Sequence, residues 1–127
     1  MKKKFIAYKG NKFTIEWYFS QNGKSVALKY FEEIPHKRKK KIFNLFRLFG
    51  NVGKILNKEK FRNEGDQIYT FKTSPDRFLC FFFEGSKIVV TNAYTKKTKK
   101  IPPKEKLKAL KAKEDYIKRC RGGNYYD

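Results

Sequence analysis

The sequence predicts a one-domain α+β protein, a twisted antiparallel sheet carrying an N-terminal helical hairpin and a basic C-terminal helix. Three observations lead to it. Apolar and polar residues alternate through Phe13-Thr14-Ile15-Glu16-Trp17-Tyr18-Phe19-Ser20, the period of a half-buried strand. Between Ser25 and Gly50 the apolar residues recur at helical spacing instead. Between Gln67 and Ala93 three short apolar runs follow one another with only turn residues between them, and strands joined so closely make an antiparallel meander.

Taken in order, Phe5 to Tyr8 reads as a first strand or a short extended arm, because Lys9-Gly10-Asn11-Lys12 has hairpin-turn chemistry. The next strand places Phe13, Ile15, Trp17 and Phe19 on one face and ends at Gln21-Asn22-Gly23. Ser25 is a suitable N-cap for a helix carrying Val26, Ala27, Tyr30, Phe31 and Ile34, which Pro35 stops while opening the next. In that second helix Ile42, Leu45, Phe46 and Phe49 form a stripe widened by Phe43 and Leu48, and Gly50 has the character of a residue just past a helix end. Asn51 to Gly65 shows no sustained period and reads as a loop with a Gly65-Asp66 turn. Strands are expected at Gln67 to Thr73, Arg77 to Glu84 and Lys87 to Ala93, the middle one apolar on both faces and therefore central. Pro102 and Pro103 precede a last helix whose stripe, Leu107, Leu110 and Ile117, is narrow and predicts weak docking. One domain over 1–120 and a flexible tail over 121–127 complete the organisation.

Composition restricts the partner. The chain has 32 Lys plus Arg against 12 Asp plus Glu in 127 residues, a formal net charge of +20, which points to a polyanion. An aromatic fraction of 17% supplies apolar surface for a core, so the chain is not a disordered basic tail. The charged start Met1-Lys2-Lys3-Lys4 lacks an apolar stretch of signal-peptide length, and no later segment is long enough to span a bilayer. A cytoplasmic protein with no membrane partner is expected. Two cysteines, Cys80 within an apolar strand and Cys120 near the end, support neither a disulfide framework nor a zinc site. No cofactor or metal is expected.

A four-residue connection, Thr73-Ser74-Pro75-Asp76, makes Lys72 and Arg77 cross-strand neighbours with Cβ atoms about 5 Å apart on one face. Two cations so placed destabilise the hairpin unless an anion lies between them, which suggests a phosphate site. The run Lys96-Lys97-Thr98-Lys99-Lys100 follows the last strand beside that hairpin. A second run, Lys37-Arg38-Lys39-Lys40-Lys41, opens the second helix; steps of about 100° carry its cations around the axis, and cations there oppose the helix dipole unless phosphates are bound. A solvated turn is the alternative. His36, the one histidine, reads as an exposed surface residue. Glu32-Glu33 and Glu114-Asp115 read as surface charge, and there is no Gly-rich phosphate loop.

The order strand, helical hairpin, three-stranded meander and basic helix resembles the RelE/ParE superfamily of toxins, in particular its phage-derived HigB-like branch. The likeness covers roughly Phe13 to Arg119. Its local marks are Asn22-Gly23-Lys24-Ser25 before the first helix, Phe31 to Pro35 at the interhelix turn, Phe49-Gly50, Ile68-Tyr69-Thr70-Phe71-Lys72, Arg77-Phe78-Leu79, and Lys96-Lys97-Thr98 with Pro102 or Pro103. Two departures stand out: Thr70-Phe71-Lys72 replaces a Glu-Leu-Arg-like pattern, and Asn92 stands where many such proteins carry a histidine.

The resemblance implies the toxin of a type II toxin–antitoxin system, a metal-independent endoribonuclease that cuts mRNA in the ribosomal A site and is silenced by a cognate antitoxin, expected to be a helix-turn-helix protein. In that chemistry the 2′-OH attacks its neighbouring phosphate. Arg77 is expected to grip the phosphate oxygens, Lys72 to serve as a second phosphate ligand or a proton acceptor, and Tyr94 and Asn92 to orient the attacking group or stack on a base. Lys96, Lys97 and Lys99, with Lys37, Arg38, Lys40 and Lys41, are expected to bind the RNA chain. Two alternatives remain, a ParE-like inhibitor of DNA gyrase and a non-catalytic nucleic-acid-binding protein.

Overall fold

The computed structural model describes residues 3–54 and 57–127. Its elements are β1 (Ile6–Lys9), β2 (Thr14–Trp17), α1 (Val26–Glu33), α2 (His36–Val52), β3 (Phe61–Gly65), β4 (Ile68–Lys72), β5 (Asp76–Phe83), β6 (Lys87–Thr95) and α3 (Pro103–Arg121). The strands form one sheet in the order β1-β2-β6-β5-β4-β3. The class is α+β as expected, with the helical hairpin and the basic last helix.

The sheet is not wholly antiparallel. β2 and β6 run parallel, pairing Thr14 with Lys87 through Trp17 with Val90. The meander β3-β4-β5-β6 leaves one long edge free at β6. A chain that has crossed one face through two helices before building that meander returns to the earlier strand in parallel, as long crossovers allow and short turns do not.

Each face of the sheet has its own helical cover. Ile15, Trp17, Phe71, Phe78 and Cys80 pack against Ala27 of α1 and Ile42, Phe46 and Phe49 of α2. On the other face Ile68, Leu79, Phe81 and Val89 meet Ala109, Ala112 and Tyr116 of α3. β5 supplies both clusters, which explains its unbroken apolar run and its place inside the sheet. Ser25 caps α1 by accepting a hydrogen bond from the Leu28 amide at 3.2 Å.

Four expectations are revised. Gly50 does not end α2, which continues to Val52 and closes on Gly53 at φ +90°. It is a glycine because the β1–β2 hairpin lies on it: a Cβ on Gly50 would stand 2.9 Å from Tyr8 Cδ2 and 3.2 Å from the Phe13 carbonyl oxygen, while the Gly50 carbonyl accepts from the Lys12 and Phe13 amides. The supposed loop holds β3, a short edge strand with little apolar content, joined to β4 by Asp66 and Gln67, both at positive φ, a tight hairpin turn. In α3, Leu107 is 51% exposed, and the docked face is Glu105, Ala109, Ala112 and Tyr116. Small residues there let the helix approach the sheet closely. Finally, residues 121–127 are folded back: Tyr125 is 2% exposed and its hydroxyl accepts from the Phe19 amide at 2.9 Å.

Candidate functional site

Sheet register sets a row of three side chains across three strands. Lys72 of β4 pairs with Arg77 of β5, and Arg77 pairs with Tyr94 of β6. Directly opposed residues share a face, here the one that also carries α3. In the next row Arg62 of β3 pairs with Thr70, and Leu79 with Asn92. The turn before β5 holds Arg77 in place, since its Nη1 donates to the Thr73 carbonyl and, at 3.0 Å, to that of Asp76.

Charge is concentrated at this end. Burial lowers the pKa of Lys72, and the neighbouring cations Arg62 and Arg77 lower it further. Burial also lowers that of Arg77. Burial pushes the Tyr94 phenol upward, with the Glu64 carboxylate adding to the effect. Glu64 was not anticipated: its carboxylate accepts from Thr70 Oγ1 at 2.6 Å and from Arg62 at 3.3 Å. It lies on the strand that sequence reading took for a loop.

A groove of about 820 Å³ opens beside the hairpin between α2 and the segment after β6. Lys60, Arg62, Lys72, Arg77, Lys96 and Lys99 line it, with Thr73 and Ser74 at the turn. Lys41, Asn44, Leu45 and Leu48 of α2 form the facing wall, and Glu59 is the carboxylate that borders it. The Thr73 hydroxyl is buried with no hydrogen-bond partner among the described residues, an uncommon state for a buried polar atom. Seven cations facing one concave space, Lys41 included, have the electrostatics of a polyanion site.

The expected residues are only partly brought together. Lys41, Lys72, Arg77, Lys96 and Lys99 share the groove, and Tyr94 continues the row from Arg77. Lys37, Lys40 and Lys97 are exposed and outside its lining. Arg38 is not a free phosphate ligand: it forms a two-bonded ion pair with Asp76. Asn92 is 3% exposed, and its Nδ2 donates to the Glu105 side chain at 3.0 Å and to the Glu105 carbonyl at 3.1 Å. It fastens α3 to the sheet and has no amide hydrogen to spare for a substrate. His36 is exposed, as expected. Among the described residues no cluster of three or more His, Cys, Asp or Glu is placed to hold a metal, and no helix is long and apolar enough to cross a membrane.

Fold and groove together define a small, strongly basic α+β protein with a cationic cleft at the turn end of a β-hairpin. Residues 29–114, more than half of the chain, match the family described as Phage derived protein Gp49-like (DUF891), and the chain belongs to that family. The match runs from α1 into α3 and so includes the whole groove. A comparison with curated proteins finds no match.

Proposed function

We propose that this protein is the toxin of a type II toxin–antitoxin system, a metal-independent endoribonuclease that cuts mRNA on the ribosome and so arrests translation in the cytoplasm. The observation that carries the reading is the Lys72–Arg77–Tyr94 row opening into a groove lined by further lysines and Arg62. Membership of a phage-derived family and the order of elements support it as well.

The chemistry follows from the row. The 2′-oxygen attacks the adjacent phosphorus, a 2′,3′-cyclic phosphate forms, and the bond from phosphorus to the 5′-oxygen breaks. Arg77 and Lys72 stabilise the negative charge that gathers on the phosphoryl oxygens, an effect on the order of 3 kcal/mol for each well-aimed donor. The proton leaving the 2′-oxygen passes to the Glu64 carboxylate, which Thr70 and Arg62 hold in place. Glu64 thereby fills the role for which the chain has no histidine on this face. The departing 5′-oxygen takes a proton from water, and Tyr94 orients the ribose. A helix-turn-helix antitoxin would silence the protein.

Brief induction in cells, followed by mapping of RNA 5′ ends, tests the reading. Growth arrest with new mRNA ends in frame with codons is the expected result. Arrest with intact RNA and altered DNA supercoiling would replace it with gyrase inhibition. A second reading, nucleic-acid binding without cleavage, draws on the engaged amide of Asn92, and RNA bound but intact in that assay would favour it.

A further inference from the structure

We propose that the α2 wall of the groove is a nucleobase subsite, in which Asn44 reads the edge of one base and Leu48 carries its flat face. The proposal rests on the RNA-binding reading above and adds a sequence preference to it, for adenine.

The two walls of the groove differ in chemistry. The hairpin, Lys60, Arg62 and the segment after β6 supply most of the cations, which suit phosphates and read no sequence. The α2 wall contributes one cation, Lys41, and then Asn44, Leu45 and Leu48, and Asn44 and Leu48 are neighbours on one helix face at a spacing of four. Leu45 is turned into the core at 6% exposure, whereas Leu48 is 44% exposed. An apolar side chain does nothing for a phosphate, and a neutral amide adds to the groove's cations an acceptor that no phosphate can use. A single exposed leucine needs no explanation by itself, but this one borders an amide inside a concave cationic site.

A single-stranded nucleotide needs both walls at once. Its phosphate is charged, and its base is a flat apolar ring with a polar edge, read in single strands by stacking and by hydrogen bonds to that edge. The Asn44 amide offers a donor beside an acceptor. Adenine presents the complementary pair, N6–H beside N7, whereas guanine presents two acceptors, O6 and N7, on the same edge. An acidic peptide would match the cations but would leave this pairing unused.

The test is binding of short RNA strands that differ only in one central purine, measured by fluorescence anisotropy at fixed salt, with a matched abasic strand and poly-glutamate as controls. Wild type is expected to bind the adenine strand about tenfold more tightly than the guanine strand. Asn44→Ala should reduce that ratio to about twofold or less and leave the abasic strand unchanged. Leu48→Ala should weaken both purine strands alike, again sparing the abasic one. Both side chains are exposed, so folding is not at stake. Tight RNA binding by wild type with no purine preference overturns the subsite alone. So does an Asn44→Ala effect equal on abasic and adenine strands. Poly-glutamate binding above all RNA strands overturns the subsite together with the RNA reading.

Discussion

The guanidinium of Arg38 meets the carboxylate of Asp76 through two hydrogen bonds, Nε to Oδ2 at 2.9 Å and Nη2 to Oδ1 at 2.6 Å. Asp76 is fully buried. Tyr30 also donates to its Oδ1, at 2.6 Å, and exchanges a hydrogen bond with Thr95 Oγ1. One carboxylate thus ties α1, α2, β5 and the end of β6 together. It belongs to the turn whose carbonyls hold Arg77, so the anchor of the helical hairpin and the support of the phosphate-binding arginine are neighbours in the chain.

That arrangement predicts a stability loss with a defined pH dependence. Burial by itself would raise the pKa of Asp76, but hydrogen bonds from Arg38 and Tyr30 outweigh it and hold it below the ordinary value. A carboxylate with a depressed folded-state pKa contributes stability above its unfolded pKa, near 4, and loses it as the pH falls through the folded value. Asp76→Asn should therefore cost about 2–4 kcal/mol at pH 7. In urea titrations the gap to wild type should narrow as the pH falls below about 4. A gap that is constant from pH 7 to pH 3 would mean that the charge of Asp76 does not matter to the fold.

Much of the row was legible in the sequence because turn residues set register: Thr73-Ser74-Pro75-Asp76 was enough to oppose Lys72 and Arg77. The Arg38–Asp76 pair was not, since a contact between residues 38 apart leaves no periodic trace and Asp76 looks like an ordinary turn residue. Glu64 was lost with β3, an edge strand whose solvent side carries no apolar pattern. Asn92 reads in the sequence as a substrate-orienting residue because nothing local shows its partner: Glu105 belongs to a helix docked by alanines and a tyrosine. A search for a leucine stripe finds only the flank of that docked face, where Leu110 and Ile117 pack while Leu107 stays exposed.

The folded-back C-terminus should be part of the stable structure. Tyr125 packs against Phe5, Tyr18 and Tyr116, and the Arg119 guanidinium lies 4.7 Å from its ring centre. Tyr125→Ala is expected to cost about 3–5 kcal/mol, as for other buried aromatics. Tyr125→Phe, which removes only the acceptor for the Phe19 amide, should cost about 1 kcal/mol. Equal unfolding midpoints for Tyr125→Ala and wild type would show that the segment is not docked in solution.

In a purified ribosome assay Arg77→Ala should lower single-turnover cleavage by at least about 100-fold, the loss typical of a donor aimed at developing charge. Lys72→Ala should cost less. Glu64→Gln keeps the hydrogen bond from Thr70 but cannot accept the proton, and a loss of about 100-fold or more is expected with ribosome affinity retained. Cleavage by Glu64→Gln at the parent rate would remove Glu64 from the reaction while leaving the phosphate site intact.

The groove also divides the lysines into two groups whose behaviour in salt should differ. Each phosphate neutralised on a single strand adds about 0.7 to the slope of log affinity against log salt. Lys41, Lys96 and Lys99 line the groove, so replacing all three with Gln should lower that slope by about 2. Lys37, Lys40 and Lys97 are exposed elsewhere, and their replacement should leave it nearly unchanged. The Lys37 and Lys40 changes should leave thermal stability equal or slightly higher, because cations in the first turn of α2 oppose its dipole. Arg38→Gln should instead lower stability through the loss of Asp76's partner and affect the slope little. Equal slope losses from both groups of lysines would mean that RNA spreads over the whole basic surface, and the groove would lose its claim to be the binding site.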